Sequence, residues 1–226
     1  KYLIDNVELM AEWDWEKNNE LNFNPDELTL GSNKKVWWKC SKGHEWEAAC
    51  YSLIAGNQCP ICSGRKVLVG YNDLYTLGPE IALQWHPSKN SDCTPKDVTI
   101  NSHRKVWWLG PCGHEWQAAI ADRNGGRGCP YCAGKRVLKG YNDLQTVNPT
   151  IASEWNCEKN NGLTPAEVMP NSNKKVWWKY KKGHEWQATI NSRNNGTGCP
   201  FCSGKSIIKG YNDLQTINPT LSKEWH

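Results

Sequence analysis

Residues 34–62 read KKVWWKCSKGHEWEAACYSLIAGNQCPIC and carry the pattern Cys40-x3-His44-x14-Cys59-x2-Cys62. The C-x2-C spacing lets two thiolates of one turn reach a single ion. Thiolates with an imidazole disfavour Mg²⁺ and Ca²⁺ and suit tetrahedral Zn²⁺. Between the two ligand pairs the chain alternates strand formers around a glycine turn. This predicts a β-hairpin with His44 at its mouth, bringing Cys40 and His44 to Cys59 and Cys62.

The stretch recurs. CPIC at Cys59–Cys62 returns as CPYC at Cys129–Cys132 and CPFC at Cys199–Cys202, 70 residues apart each time. GHEW and VWW keep the same interval, with histidines at His44, His114 and His184. Fixed spacing at several motifs means that each copy folds alike. The division expected is 1–69, 70–139 and 140–209 for three repeats, with 210–226 as the lead-in of a fourth. The chain begins at Lys1 without a Met, so a longer parent protein is expected.

One copy predicts its elements in outline. Asn148 caps a short helix with Pro149 at its first position, and Ile151 and Trp155 share a face. A second helical start falls at Thr164-Pro165-Ala166-Glu167. Lys175–Lys179 and 185–190 form the hairpin, and the Gly/Asn-rich loop 194–198 leads to the knuckle. The fold class expected is small α+β, zinc-stabilised modules in tandem, each a short helical lead-in plus a β-hairpin and a CPxC knuckle. Composition agrees: 14 Trp supply small cores, and 11 Cys supply the metal staple that such cores need.

The copies differ at one ligand. Gly110 stands where Cys40 does, with Cys112 two residues on, so the second set is Cys112, His114, Cys129 and Cys132. Cys93 competes with Cys112 for that place. In the third copy Tyr180 replaces the cysteine, leaving His184, Cys199 and Cys202; Cys157 is a candidate fourth ligand. Cys50 aligns with Ile120 and Ile190 and is read as a buried apolar residue. The cofactor expected is about one Zn²⁺ per repeat. The in-phase histidines and the odd cysteine count disfavour a disulfide scaffold.

The pattern NDL…P…EW…KN…S.KKVWWKC..GHEW…R..G.GCP.C resembles a family of probable zinc-ribbon, treble-clef-like tandem repeats. The resemblance spans nearly the whole chain. It implies Cys40, His44, Cys59, Cys62 and their in-phase counterparts as ligands, and it implies association with DNA.

The net charge of +4 is modest, but it is segregated. Lead-ins are acidic and metal segments basic, a stripe that suits a phosphate backbone. The candidate contacts are Lys34, Lys35, Arg65 and Lys66; Arg104, Lys105, Arg123, Arg127, Lys135 and Arg136; Lys174, Lys175, Arg193 and Lys205. Arg123 and Arg193 are read in the loop before the knuckle, reaching for a phosphate or a guanine edge. The first copy has Leu53 there.

In each Trp pair one ring faces the core. Its neighbour either packs under the lead-in against Trp13, Trp85 or Trp155, or offers a stacking platform for bases. The function expected is nucleic-acid binding, first of double-stranded DNA. A protein-interaction scaffold and RNA or single-strand binding are the alternatives. No catalytic constellation is visible: Glu45, Glu115 and Glu185 sit in the hairpin, not on an HExxH helix. With no signal peptide and no transmembrane run, an intracellular, membrane-free setting is expected, with no small-molecule substrate.

Overall fold

The computed structural model describes residues 1–225; His226, the last residue of the expected fourth lead-in, lies outside them. Three two-stranded antiparallel sheets follow one another along the chain: β1 (Lys35–Lys39) with β2 (Glu45–Ala49), β3 (Lys105–Leu109) with β4 (Glu115–Ala119), and β5 (Lys175–Lys179) with β6 (Glu185–Thr189). The register is the same in all three, pairing Trp38 with Trp46, Trp108 with Trp116, and Trp178 with Trp186. The hairpin turns pass through Gly43, Gly113 and Gly183 at φ of 82°, 76° and 85°, where a side chain would be strained.

A two-stranded ribbon is too small to be stable alone, and the lead-in completes it. The lead-in Trp bridges the outer strand (Trp13 to Trp38, Trp85 to Trp108, Trp155 to Trp178). Five residues further on, an asparagine side chain behaves as one more residue of a third strand. Asn18 donates to the Trp37 carbonyl at 2.7 Å and accepts from the Trp37 N–H at 2.9 Å. Asn90 does the same for Trp107, at 2.9 and 2.8 Å, and Asn160 for Trp177, again at 2.9 and 2.8 Å. The strand edge is thereby satisfied without a strand.

Each core is built on tryptophan. Trp38, Trp108 and Trp178 are fully buried, each donating its indole N–H to a carbonyl of the opposite strand: Ala48, Ala118 and Ala188. Trp13, Trp85 and Trp155 meet these inner rings edge-on, with centroids 5.7, 5.5 and 5.4 Å apart. This corrects one expectation: the lead-in Trp packs on the inward ring, not the outward one. The outward rings are half-buried, with an ammonium over each: Lys17 on Trp37 at 4.0 Å, Lys89 on Trp107 at 4.7 Å, and Lys159 on Trp177 at 4.6 Å.

The expected caps are present. The helix Pro149–Ala152 is capped by Asn148, which accepts from the Ile151 N–H, and Pro165–Glu167 is one 3-10 turn. The return strand ends one residue early, because a short helix begins there: Cys50–Ile54, Ile120–Asn124 and Ile190–Asn194 in the three copies. Cys50, Ile120 and Ile190 are all fully buried, as expected of an apolar position.

The chain forms two compact units, Lys1–Arg127 and Gly128–His226. In the first, residues after the first knuckle pair with the second lead-in: Leu74 N–H donates to Val98 O at 2.9 Å and Tyr75 N–H to Pro95 O at 3.2 Å. In the second, Leu144 N–H donates to Val168 O at 2.8 Å. No helix among the described residues is long and apolar enough to cross a membrane.

Candidate metal centres

Cys40 and His44 are the two ends of the β1–β2 turn, closed by Cys40 N–H to His44 O at 3.0 Å and Gly43 N–H to Cys40 O at 2.8 Å. Cys59 and Cys62 lie on a tight turn sealed by Ser63 N–H to Cys59 O at 3.0 Å. The hairpin brings the two turns together. His44 Nδ1 lies 3.5 Å from Cys40 Sγ, 3.8 Å from Cys59 Sγ and 3.2 Å from Cys62 Sγ, and Cys40 Sγ is 3.9 Å from Cys62 Sγ.

A tetrahedral zinc with Zn–S of about 2.3 Å and Zn–N of about 2.0–2.1 Å needs ligand separations of about 3.5–3.8 Å. The four donors therefore fit zinc. Bound there, zinc would supply a structural cross-link between hairpin and knuckle. The electrostatics also suit a cation. Burial pushes the Cys62 thiol up to about 11, and its hydrogen bonds with Cys59 and Cys40 add to this. Burial works the same way on Cys40, but the amides of Lys42 and His44 outweigh it and hold this thiol below its usual value. Three thiols converging on one point resist ionising together unless a metal takes the charge.

Among the described residues three Cys/His groups could bind zinc, one per repeat: Cys40, His44, Cys59 and Cys62; Cys112, His114, Cys129 and Cys132; and His184, Cys199 and Cys202. The second repeat shows how its ligand moved. A Cβ on Gly110 would lie 2.9 Å from the Trp116 ring and 3.1 Å from Cys112 Sγ. The Cys112 sulfur thus occupies the space that a side chain on residue 110 would need. The backbone is unchanged, with Gly110 N–H to His114 O at 3.0 Å.

In the third repeat His184 Nδ1 lies 3.4 Å from both Cys199 and Cys202 sulfurs. Tyr180 stands where Cys40 does and keeps the backbone bond to His184 O at 2.9 Å. Cys157 is not in the group; it is exposed, its sulfur 4.0 Å from Trp155 O. Cys93 likewise stands apart from the second group, beside Thr94 O. Cys40, Cys50, Cys59, Cys62, Cys93, Cys157, Cys199 and Cys202 are free thiols.

The next repeat covers each knuckle. Tyr71 stands edge-on to His44 with centroids 4.3 Å apart, and Lys42 donates to its hydroxyl at 3.2 Å. Asn72 donates to Ile61 O at 2.9 Å and Lys66 O at 3.0 Å, and accepts from Leu68 N–H at 2.7 Å. Tyr211 repeats the first contact on His184 at 4.4 Å. Asn142 and Asn212 repeat the second on their own knuckles. The GYNDL motif visible in the sequence is therefore a lid on the preceding centre.

Two of the basic residues are not where the sequence placed them. Arg123 and Arg193 lie in the short helices, not in the loop, and both are buried. The Arg193 guanidinium sits 5.2 Å from the rings of both Trp178 and Trp186, pairs with Glu154 and donates to Thr197 O. Arg123 lies 5.5 and 5.4 Å from Trp108 and Trp116 and donates to Gln84 and to Arg127 O. A flat cation between aromatic faces is core packing, so neither side chain is free to reach a phosphate. Leu53, their counterpart, fills the site with apolar volume.

The other basic candidates are exposed: Lys34, Lys35, Arg65, Lys66, Arg104, Lys105, Arg127, Lys135, Arg136, Lys174, Lys175 and Lys205. Arg127 is paired with Asp122 at 2.9 Å. The glutamate after each ligand histidine is also engaged. Glu45 pairs with Lys17 at 2.6 Å and Lys39 at 3.0 Å, Glu115 with Lys89, and Glu185 with Lys159 at 2.5 Å. These pairs hold their carboxyls below the usual carboxylate range.

A family model described as a probable treble clef zinc finger domain matches residues 9–65, 81–135 and 151–205. Each matched segment runs from a lead-in through a hairpin to the residues just after a knuckle. No curated protein is significantly similar to the chain.

Proposed function

We propose that this chain, which belongs to the family of probable treble clef zinc finger domains, is a zinc-ordered repeat array that binds nucleic acid, double-stranded DNA first. The observation that carries this reading is the sorting of its charges. Exposed cations recur at matching positions: Lys34 and Lys35, Arg104 and Lys105, Lys174 and Lys175 before the hairpins, and Arg65 and Lys66, Lys135 and Arg136, and Lys205 after the knuckles. Cations that would confuse the pattern are used internally, as Arg123 and Arg193 are, or neutralised over tryptophan, as Lys17, Lys89 and Lys159 are.

A stripe of unpaired cations at a fixed interval matches a polyanion of regular spacing. The reading is of a binding module and not of an enzyme. The hairpin glutamates are spent on ion pairs, and three of the four donors of the first centre are buried. The free thiols of the first and third centres suit an intracellular setting.

The test is a titration of the zinc-loaded chain against random duplex DNA, single-stranded DNA and RNA at two salt concentrations. Duplex binding that weakens steeply with salt supports the proposal. Preference for single strands moves it to the RNA and single-strand alternative. No binding at low salt, with capture of one protein partner after nuclease treatment, replaces it by the interaction scaffold.

A further inference from the structure

The exposed cations do not stand on isolated hairpins. An open cleft of roughly 560 Å³ lies where the first knuckle meets the second lead-in. Its walls carry Arg65 and Lys66 from the knuckle side, and His103 and Arg104 from the approach to β3. The two walls are fixed against each other by Thr99 Oγ1 to Gly64 O at 3.3 Å and by Asn72 Nδ2 to Lys66 O at 3.0 Å. Arg65 is held in place by Asn57 Oδ1 at 2.8 Å, Gln58 O at 2.6 Å and Ser63 Oγ at 3.1 Å.

The acid lining the cleft is Asp97, and its carboxylate is occupied by its own turn. It accepts from Thr94 N–H at 2.8 Å and Oγ1 at 2.6 Å. Among the described residues none of Arg65, Lys66 and Arg104 is ion-paired.

The second junction repeats this logic. Asn142 of the third repeat donates to Tyr131 O and Arg136 O of the second at 2.9 Å each, and Glu167 takes the place of Asp97, accepting from Thr164 N–H and Oγ1 at 2.9 Å each. Lys135, Arg136 and Lys174 occupy the positions of Arg65, Lys66 and Arg104. Lys34 and Lys205 occupy equivalent positions with no junction beside them among the described residues; Lys34 lies over the Phe23 ring at 4.2 Å instead.

We infer that the junctions between repeats, and not the repeats themselves, are the phosphate-binding sites of this chain. Lys66 with Arg104, and Arg136 with Lys174, each grip one backbone phosphate of a duplex. The inference rests on the nucleic-acid reading above and assigns its contacts. Cations from two repeats meet only where those repeats are docked, so a duplex would be gripped at the seams of the array.

The experiment uses the whole zinc-loaded chain and a random-sequence duplex of about 20 base pairs, with salt raised from about 50 to about 200 mM. Three double variants remove equal charge: Lys66→Ala with Arg104→Ala, Arg136→Ala with Lys174→Ala, and, away from the stripe, Lys1→Ala with Lys223→Ala. Zinc content, measured in each, shows that the fold survives. Each junction pair should weaken binding at least about tenfold and lower the salt slope by about two, the loss expected for two backbone contacts. The Lys1 and Lys223 pair, exposed and outside the basic stripe, should change affinity less than about threefold. Equal losses in all three variants overturn the inference in favour of a diffuse field, while the nucleic-acid reading stands. Undiminished binding by both junction variants overturns it in the same way. A parent chain that does not bind duplex at low salt removes both. Inorganic phosphate is the remaining probe: ³¹P line broadening lost in the Lys66 and Arg104 variant, without duplex binding, assigns the cleft to free phosphate and overturns the backbone contact.

Discussion

The Cys112 sulfur lies 3.1 Å from the point where a side chain on Gly110 would begin. The second repeat has thus exchanged a cysteine at the start of the turn for one near its end, and the glycine makes the exchange sterically possible. Gly110→Ala should therefore damage the second centre, since its methyl also meets the Trp116 ring at 2.9 Å. The chain should lose about one zinc of the one-per-repeat complement, read by metal analysis after desalting. An unchanged zinc content would mean that Cys112 is not a ligand.

Zinc binding should release protons and should weaken as pH falls. Cys62, pushed up to about 11, carries a proton at neutral pH, and zinc must displace it. The metal-free state binds more protons than the loaded state, so raising the pH favours loading and lowering it favours release. Loss of at least about tenfold in zinc affinity per pH unit below neutrality is expected, measured by competition with a chromogenic chelator. A pH-independent affinity would exclude thiol ligation.

Arg193 should prove a core residue. Arg193→Ala leaves Glu154 without its partner and two Trp faces without their filler, costing about 3 kcal/mol in the third repeat. Arg193→Leu, which copies the solution at Leu53, should cost clearly less. Hydrogen exchange of β5 and β6 reports both. If Arg193→Ala keeps full protection yet abolishes duplex binding, the guanidinium reaches the surface after all.

Asn160→Ala should open the outer edge of β5. It removes both side-chain hydrogen bonds to Trp177: the carbonyl keeps the Asn156 N–H at 3.1 Å, but the half-buried Trp177 N–H loses its acceptor, at about 1–3 kcal/mol. Faster exchange of the Trp177 amide, with zinc content unchanged, is the expected signature.

Much of this was legible in the chain. The fixed interval of 70 residues gave the number of modules, and the Cys and His spacing picked out the residues that converge in the first Cys/His group. The Asn148 cap and Pro149 start followed from local preferences. What escaped depends on contacts distant in sequence. Asn18 reaches Trp37 across 19 residues and completes a strand edge with a side chain, for which no periodicity exists. Arg193 reads as a surface cation until its partner Glu154, 39 residues away, is placed against it. The helices beginning at Cys50, Ile120 and Ile190 are five residues each, too short to show an amphipathic pattern.

The lid residues Tyr71 and Asn72 carry a last consequence, one for how such chains grow. A centre is sealed by the residues that open the following copy, so the unit that folds is offset from the unit that repeats. Unequal crossing-over between any two copies, at any point of the 70-residue interval, joins a knuckle to a Tyr-Asn pair of the same kind. Lengthening or shortening the gene by whole intervals therefore never leaves an internal centre unsealed. Gene duplication can set the number of copies freely, and the cost of an imperfect join falls on the final centre alone.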